Sequence, residues 1–394
     1  MNFSFKFNRF FLALLLLQPL DVSHINAAEP IIQGDLTIEE LRIEKAFAQF
    51  PQLFEPLSAH VKKFELQINK ARNLTALTQL VIRHCEKLWK EAGKSFKQIH
   101  RFDDRSLYWA RLQMSKALKL SSGYKALLPM QKQKLLWQFE LISRGKNDVK
   151  FDKNTDKKIL ITGFDPFFLD RNIDQSNPSG VAALALDDLT LSSNGQSVEI
   201  ESLIVPVRFA DFDQGMIETL LSPYYDQVDM IITISMGRND FDLERFPGLR
   251  RSADAPDNVN IFTGATRTNP IKPLHKGKAL SGNEFVEFSL PVKAMKKATG
   301  KYEINDNRTV TTLTKTFEPI SLSALISQTS VQGSGGGYLS NEISYRSILL
   351  RNKLNPVLPV GHIHTPRINA YQADKSEHIV KQIKQMLTYS ISEI

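Results

Sequence analysis

The chain has 394 residues, of which 42% are hydrophobic and 23% charged, and its formal net charge is +8. That length suits two or three domains with a sizeable core, and the composition excludes a disordered chain or a bundle of membrane spans. A single cysteine excludes any intramolecular disulfide.

In chain order, the first element is an address. Lys6 and Arg9 precede an apolar run at residues 10–17, and Ala27 and Ala28 stand before Glu29. A charged start, a short apolar run and small residues make the layout of a secretory signal peptide over residues 1–28. The run is too short to span a bilayer, and no other long one follows. The expectation is an exported protein, periplasmic or extracellular, with no integral membrane segment once the signal is removed.

Residues 29–145 read as an all-α module. Thr37 with Glu40 three residues on is a capping-box pattern opening "IEELRIEKAFAQF". Further helices follow in "LTALTQLVIRHCEKLWK", "DRSLYWARLQMSKALKL" and "PMQKQKLLWQFELISR". In the first of these, Leu74, Leu77, Val81, Cys85 and Leu88 recur at spacings of three and four, which puts the thiol on a buried stripe as a small hydrophobe. Residues 29–150 hold 22 Lys/Arg and 13 Asp/Glu, a charge of +9, whereas residues 151–394 carry −2. Acidic residues are interspersed among the basic ones, so the charge predicts a solvated helical face and no nucleic-acid partner. The sequence names no other partner for the module. The polar stretch "RGKNDVKFDKNTDKK" then reads as an exposed linker, residues 146–157, at which the two parts would be separable.

Beyond it the pattern changes. "ILITGF", "VEIESLIVPV", "VDMIITISM" and "NPVLPVGHIH" are short runs rich in Ile and Val. Helical segments such as "SGVAALALDDL" and "FADFDQGMIETLLSPY" lie between them. Strands alternating with helices predict a three-layer α/β/α sheet domain over residues 158–394, at least partly parallel.

Four places in this domain can carry chemistry: "GFDPFF" after the first strand, "MGRNDFDLER" with Glu244, "GGGYLSNE" with Ser340 at a helix start, and "GHIHTP" with His362 and His364. Ser, His and a carboxylate together suit acyl transfer. The imidazole takes the hydroxyl proton, the carboxylate orients the ring, and the N–H groups of a helix start hold an oxyanion. His362 and His364, two apart on a strand, face one side as paired metal ligands sometimes do. No Cys, Asp or Glu stands close by in sequence to complete a set, so neither a metal nor a cofactor is expected.

These motifs, in this order, resemble pyroglutamyl peptidase I, the pyrrolidone-carboxylate peptidases, over residues 158–370. "ITGFDPF" with "NPSG" is similar to that family's opening strand and loop, "GRNDFDLER" to its Gly-Arg and Glu-Arg segment, and "PDN" follows. "GGGYLSNEISYR" is similar to the nucleophile segment, and "GHIHTP" to the one ending in the catalytic histidine, with 24 residues from Ser340 to His364. The resemblance implies Glu244 as orienting carboxylate, His364 as base, and Phe164 and Phe167 as the aromatic walls of a pyroglutamyl pocket. It implies a peptide or small pyroglutamyl compound as substrate.

The departures are equally definite. The family's nucleophile is cysteine, where this chain has Ser340. Its Gly-Gly is Phe168-Leu169 here, its arginine before the Pro-Asp-Asn run is Asp254, and its pocket glutamine is missing near Ile234–Ser235. Extra sequence lies around residues 298–326. Two readings follow: a serine-dependent peptidase releasing N-terminal pyroglutamate, or a pseudoenzyme that binds such ligands without turnover.

Overall fold

The computed structural model describes residues 36–99, 102–193 and 195–394. The expected signal segment lies outside these residues.

The chain opens with helices α1 (Ile38–Gln49), α2 (Ser58–Ile68), α3 (Leu74–Ile99), α4 (Arg105–Leu120), the short α5 (Ser122–Lys125) and α6 (Pro129–Ile142). The Thr37 N–H donates to Glu40 Oε2 at 2.7 Å, so the capping box forms where the sequence puts it. Cys85 is fully buried on α3, and burial pushes its thiol well up.

The sheet domain follows as β1 (Lys157–Phe164), α7 (Pro178–Leu186), β2 (Leu189–Ser193), β3 (Gln196–Val205), α8 (Phe209–Asp213), α9 (Met216–Leu221), β4 (Met230–Met236) and β5 (Phe241–Glu244). A ribbon, β6 (Leu274–His275) and β7 (Lys278–Ala279), and α10 (Val292–Met295) come next. Then come β8 (Ile304–Asn307), β9 (Val310–Thr312), β10 (Thr316–Phe317) and β11 (Ser330–Gln332). The chain closes with α11 (Leu339–Leu354), β12 (Val360–Thr365) and α12 (Ala373–Ser390).

Among the described residues the main sheet has seven strands in the order β2-β3-β1-β4-β12-β5-β8. The run β3, β1, β4, β12 is parallel, while β2 and β5 enter antiparallel to their inner neighbours. The chain first moves from β1 toward β3, then returns past β1 to β4 and β12. Right-handed crossovers in opposite directions put helices on opposite faces. Accordingly α7 packs on β1 and β3 together with α12, and α11 packs on β4 and β12 together with α9. The expected three-layer α/β/α domain is what forms. Its central strands are covered on both faces, which is why they read as unbroken apolar runs.

Two expectations about the module are corrected. The stretch expected to be an exposed linker is exposed only in part: Arg144, Gly145 and Val149 are buried, whereas Asp152, Lys153 and Asn154 are exposed. The Ile204 N–H donates to Arg144 O, and Leu88 and Trp89 of α3 share one core with Ala183 and Leu184 of α7 and Ile204 of β3. The two parts therefore share one core beside this stretch. The basic residues of the module also do not all face solvent. Arg42, Arg105 and Arg111 are buried against Asp170, Asp174 and Asp165 of the sheet domain, and Arg144 against Asp165. The basic excess of one part meets carboxylates of the other across the seam.

Candidate active site

The strand order reverses at β1, and in such sheets a crevice opens beyond the carboxyl ends of the strands on either side of the reversal. Phe164 ends β1 and Ser235 and Met236 end β4, and both strands open into a cleft. Phe164, Phe167, Val207, Met236, Tyr338 and Leu339 give it apolar and aromatic walls. Asn177, Ser235 and Ser340 are its polar members. Another cleft lies at the seam with the module, between Leu57, Phe96 and Leu184. Ser235, which lines the first cleft, is in register with His364 on β12, so the chemistry points to that cleft.

β12 carries both histidines and runs between β4 and β5. His362 is in register with Thr233 and His364 with Ser235 on one side, and His364 with Asp242 on the other. Their rings do share one face, edge to face with centroids 5.0 Å apart. They turn to different neighbours. His364 Nδ1 meets Glu244 Oε1 of β5 at 2.5 Å, a diagonal reach that long side chains make across antiparallel strands. A carboxylate only accepts, so Nδ1 carries the proton and Nε2 offers its lone pair. His362 turns the other way, to Thr233 and Ser235. With both of its ring nitrogens engaged, and His364 Nδ1 committed to Glu244, the pair is not arranged as metal ligands.

Glu244 is fully buried. Burial pushes its carboxyl up, and the His364 ring opposes this. Its second oxygen accepts from Asn307 Nδ2 at 2.8 Å, and the same amide nitrogen donates to Ser334 O at 3.0 Å. Asn307 ends β8, the strand formed by the extra sequence, which pairs with β5. The sequence reading missed it: "INDN" is too short and polar to signal a sheet strand.

Ser340 is the second residue of α11. Its approach answers why the chain needs glycine there. Gly336 has φ +87°, and a Cβ on Gly337 would stand 2.0 Å from Ser252 Oγ. Asn341 pins the loop by accepting from the Gly248 N–H and donating to its carbonyl. The Ser340 hydroxyl donates to Gly335 O at 3.3 Å. Among the described residues no hydrogen bond joins it to His364.

Phe164 is buried and stacks on Phe212, while Phe167 packs on Phe168 with centroids 4.3 Å apart. Phe168 has φ +62°, the left-handed region that glycine tolerates and a bulky side chain resists. Leu169 beside it is buried among Ile43, Leu53 and Trp109 of the module. Asp254 is exposed, whereas Asp257 and Asn258 are buried, and Asn258 Nδ2 donates to Pro166 O in the aromatic loop. Asp148, Asp187 and Asp188 also come together, with Asp187 buried and Asp188 exposed, but Asp187 accepts from Ser202 and Trp89, and lysines 90 and 97 pair with the other two.

An α/β sheet with a buried carboxylate–imidazole pair beside an aromatic cleft defines the class to which comparison can be made. The chain belongs to the family described as "PA0049, C-terminal domain", whose model matches residues 158–286 and 296–369. The model "PA0049 N-terminal domain" matches residues 24–140. A Pseudomonas aeruginosa protein named "Uncharacterized protein PA0049" is 27% identical over 355 residues, covering 68% of this chain and 64% of that protein. The chain thus spans less than two thirds of that relative's length. The pyrrolidone-carboxylate peptidase of Staphylococcus aureus is a distant homologue, 30% identical over 210 residues, or 53% of this chain and 79% of that one. A mutant pyrrolidone carboxyl peptidase from Pyrococcus furiosus superposes with a TM-score of 0.42 at 20% identity, over 60% of this chain and 99% of that chain.

Proposed function

We propose that the chain is a pyroglutamyl-peptidase-like hydrolase that removes N-terminal pyroglutamate from peptides, with Ser340 as nucleophile in place of the cysteine of its relatives. The observation that carries this reading is the buried Glu244–His364 pair at 2.5 Å next to a cleft whose walls include Phe164 and Phe167 and whose rim holds Ser340.

In the proposed reaction the flat, uncharged lactam sits among the aromatic side chains, where no charge has to be desolvated. Ser340 Oγ attacks the pyroglutamyl carbonyl as His364 Nε2 takes the hydroxyl proton, and Glu244 stabilises the imidazolium at Nδ1. The first-turn N–H groups of α11, which have no intrahelical acceptor, face the oxyanion. The intermediate collapses, and His364 returns the proton to the departing peptide amine. Water then attacks the acyl-Ser340 ester by the same proton route and releases pyroglutamate.

The alternative is a binding protein without turnover. It is favoured by one observation: the Ser340 hydroxyl rests on Gly335 O instead of His364. Turnover of a fluorogenic pyroglutamyl amide by the full chain, beside its Ser340→Ala variant, decides between them. Hydrolysis that vanishes in the variant supports the enzyme; equal background in both supports the binder. We also propose that the protein acts outside the cytoplasm, on the charged start and short apolar run of residues 1–28. N-terminal sequencing of the native protein tests this, and an intact Met1 in a cytosolic fraction would refute it.

A further inference from the structure

His362 is completely buried, and the reaction above uses neither of its ring nitrogens. Thr233 Oγ1 lies 2.8 Å from Nδ1, and Ser235 Oγ lies 2.8 Å from Nε2. A neutral imidazole has one N–H and one lone pair, so one hydroxyl must accept from it and the other donate to it. Neutrality follows from the setting: burial first, and the neighbouring His364 ring second, hold His362 well below the ordinary imidazole range. The direction of the chain is set at Thr233. Its hydroxyl donates to Gly361 O at 3.3 Å, so it accepts from His362 Nδ1–H. Nε2 is then the lone-pair nitrogen, and Ser235 spends its only proton on it.

Ser235 therefore shows the cleft an oxygen with lone pairs and no hydrogen to give. The other polar members are committed. Asn177 donates to Asp165 O and accepts from Ser179, and Tyr338 donates to Pro256 O. Ser340 is assigned to the chemistry. We infer that Ser235, held by the Thr233–His362 relay, is the acceptor that reads a ring N–H of the ligand, and that it selects a lactam over an isosteric ring without that hydrogen. The inference rests on the lactam reading of the cleft and adds the residue that makes the choice. A site that hydrogen-bonds a ligand group rejects the analogue lacking it, because its own polar atom is then left unpaired.

The test compares binding of 5-oxoprolinamide and of 5-oxotetrahydrofuran-2-carboxamide, in which oxygen replaces the ring N–H. Affinities are measured by titration calorimetry on the full chain. The wild type is expected to prefer the lactam about tenfold, and Ser235→Ala to bind both alike. Ser235→Cys keeps the size but loses the strong acceptor, and gives the same result should the alanine variant fail to fold. A wild type that binds both rings equally, or variants that keep the full preference, overturn the inference; the second outcome leaves the lactam pocket standing. Binding of neither ring overturns both readings. The expected preference without any hydrolysis supports the inference and removes only the enzyme.

Discussion

At Ser340 the hydroxyl faces Gly335 O at 3.3 Å, and in the proposed reaction it must turn to His364 and lose its proton during attack. A thiol, with an ordinary pKa of about 8.5, can be ionised beforehand by a helix start and an imidazole. Ser340→Cys is therefore expected to raise hydrolysis of a pyroglutamyl amide about tenfold or more over wild type. A slower cysteine variant, beside a wild type that reacts readily with a serine-directed phosphonate, would mean that the site is tuned to oxygen. Asn307 belongs to the same scale. Its amide donates to Glu244 Oε2, a bond that favours the charged carboxylate against burial. Without it the carboxyl rises further, so the acidic limb of the kcat/KM profile should move to higher pH in Asn307→Ala. Activity at neutral pH should fall about tenfold. A variant with the limb unmoved would make Asn307 a packing residue only. Asn307 was not legible in the sequence, because one polar residue on a strand carries no period and no motif, and Ser235 stands out there only as the place where the resembled family's pocket glutamine is missing. Glu244 and His364 were legible because they stand inside ordered motifs, and the structure joins them.

At the scale of elements, α1 reaches into the cleft's support. Arg42 gives Nε to Asp170 Oδ1 at 2.7 Å, Nη1 to Asn258 O at 2.5 Å and Nη2 to Asn260 Oδ1 at 3.1 Å. One guanidinium thus ties the aromatic loop to the Pro-Asp-Asn loop, and Leu169 is buried in the module beside it. The loop is thus anchored in the module through Leu169, with a strained φ at Phe168 beside it. Arg42→Ala is expected to raise KM about five- to tenfold while kcat stays within about twofold, since the clamp orders the binding wall and touches no reacting atom. A drop in kcat with KM unchanged would contradict that. The helices α1, α3, α4 and α6, and the strands β1, β3, β4 and β12, were readable from apolar periodicity or continuous Ile/Val runs. β5 and β8 were not, being four residues each and partly polar. Nor was the clamp, whose partners lie more than a hundred residues apart.

Across the whole molecule, the buried carboxyls set the pH dependence of stability. Burial pushes Asp104 up to about 8, Asp187 to about 7 and Glu201 to about 9, and Glu201 Oε2 has no hydrogen-bond partner among the described residues. The unfolded chain releases these protons near pH ~4. Between the two values the folded state binds more protons, so their stabilising contribution is complete at the acidic end and is lost as pH rises through the folded values. Denaturation midpoints should therefore fall between about pH 6 and about pH 9, and Glu201→Gln should flatten the decline. An identical slope in the variant would assign the effect elsewhere. Glu140 and Glu342 work in the opposite sense. Burial opposes their charge but arginines outweigh it and hold them low, so their contribution is lost only on strong acidification.

The Arg42 clamp also fixes how the cleft responds to dilution. A wall braced by a second subunit comes apart once the protein is scarce. Here the brace is tethered to the loops it holds, so it closes at an effective concentration set by the chain itself. Affinity for a lactam should then stay constant across about a thousandfold range of protein concentration.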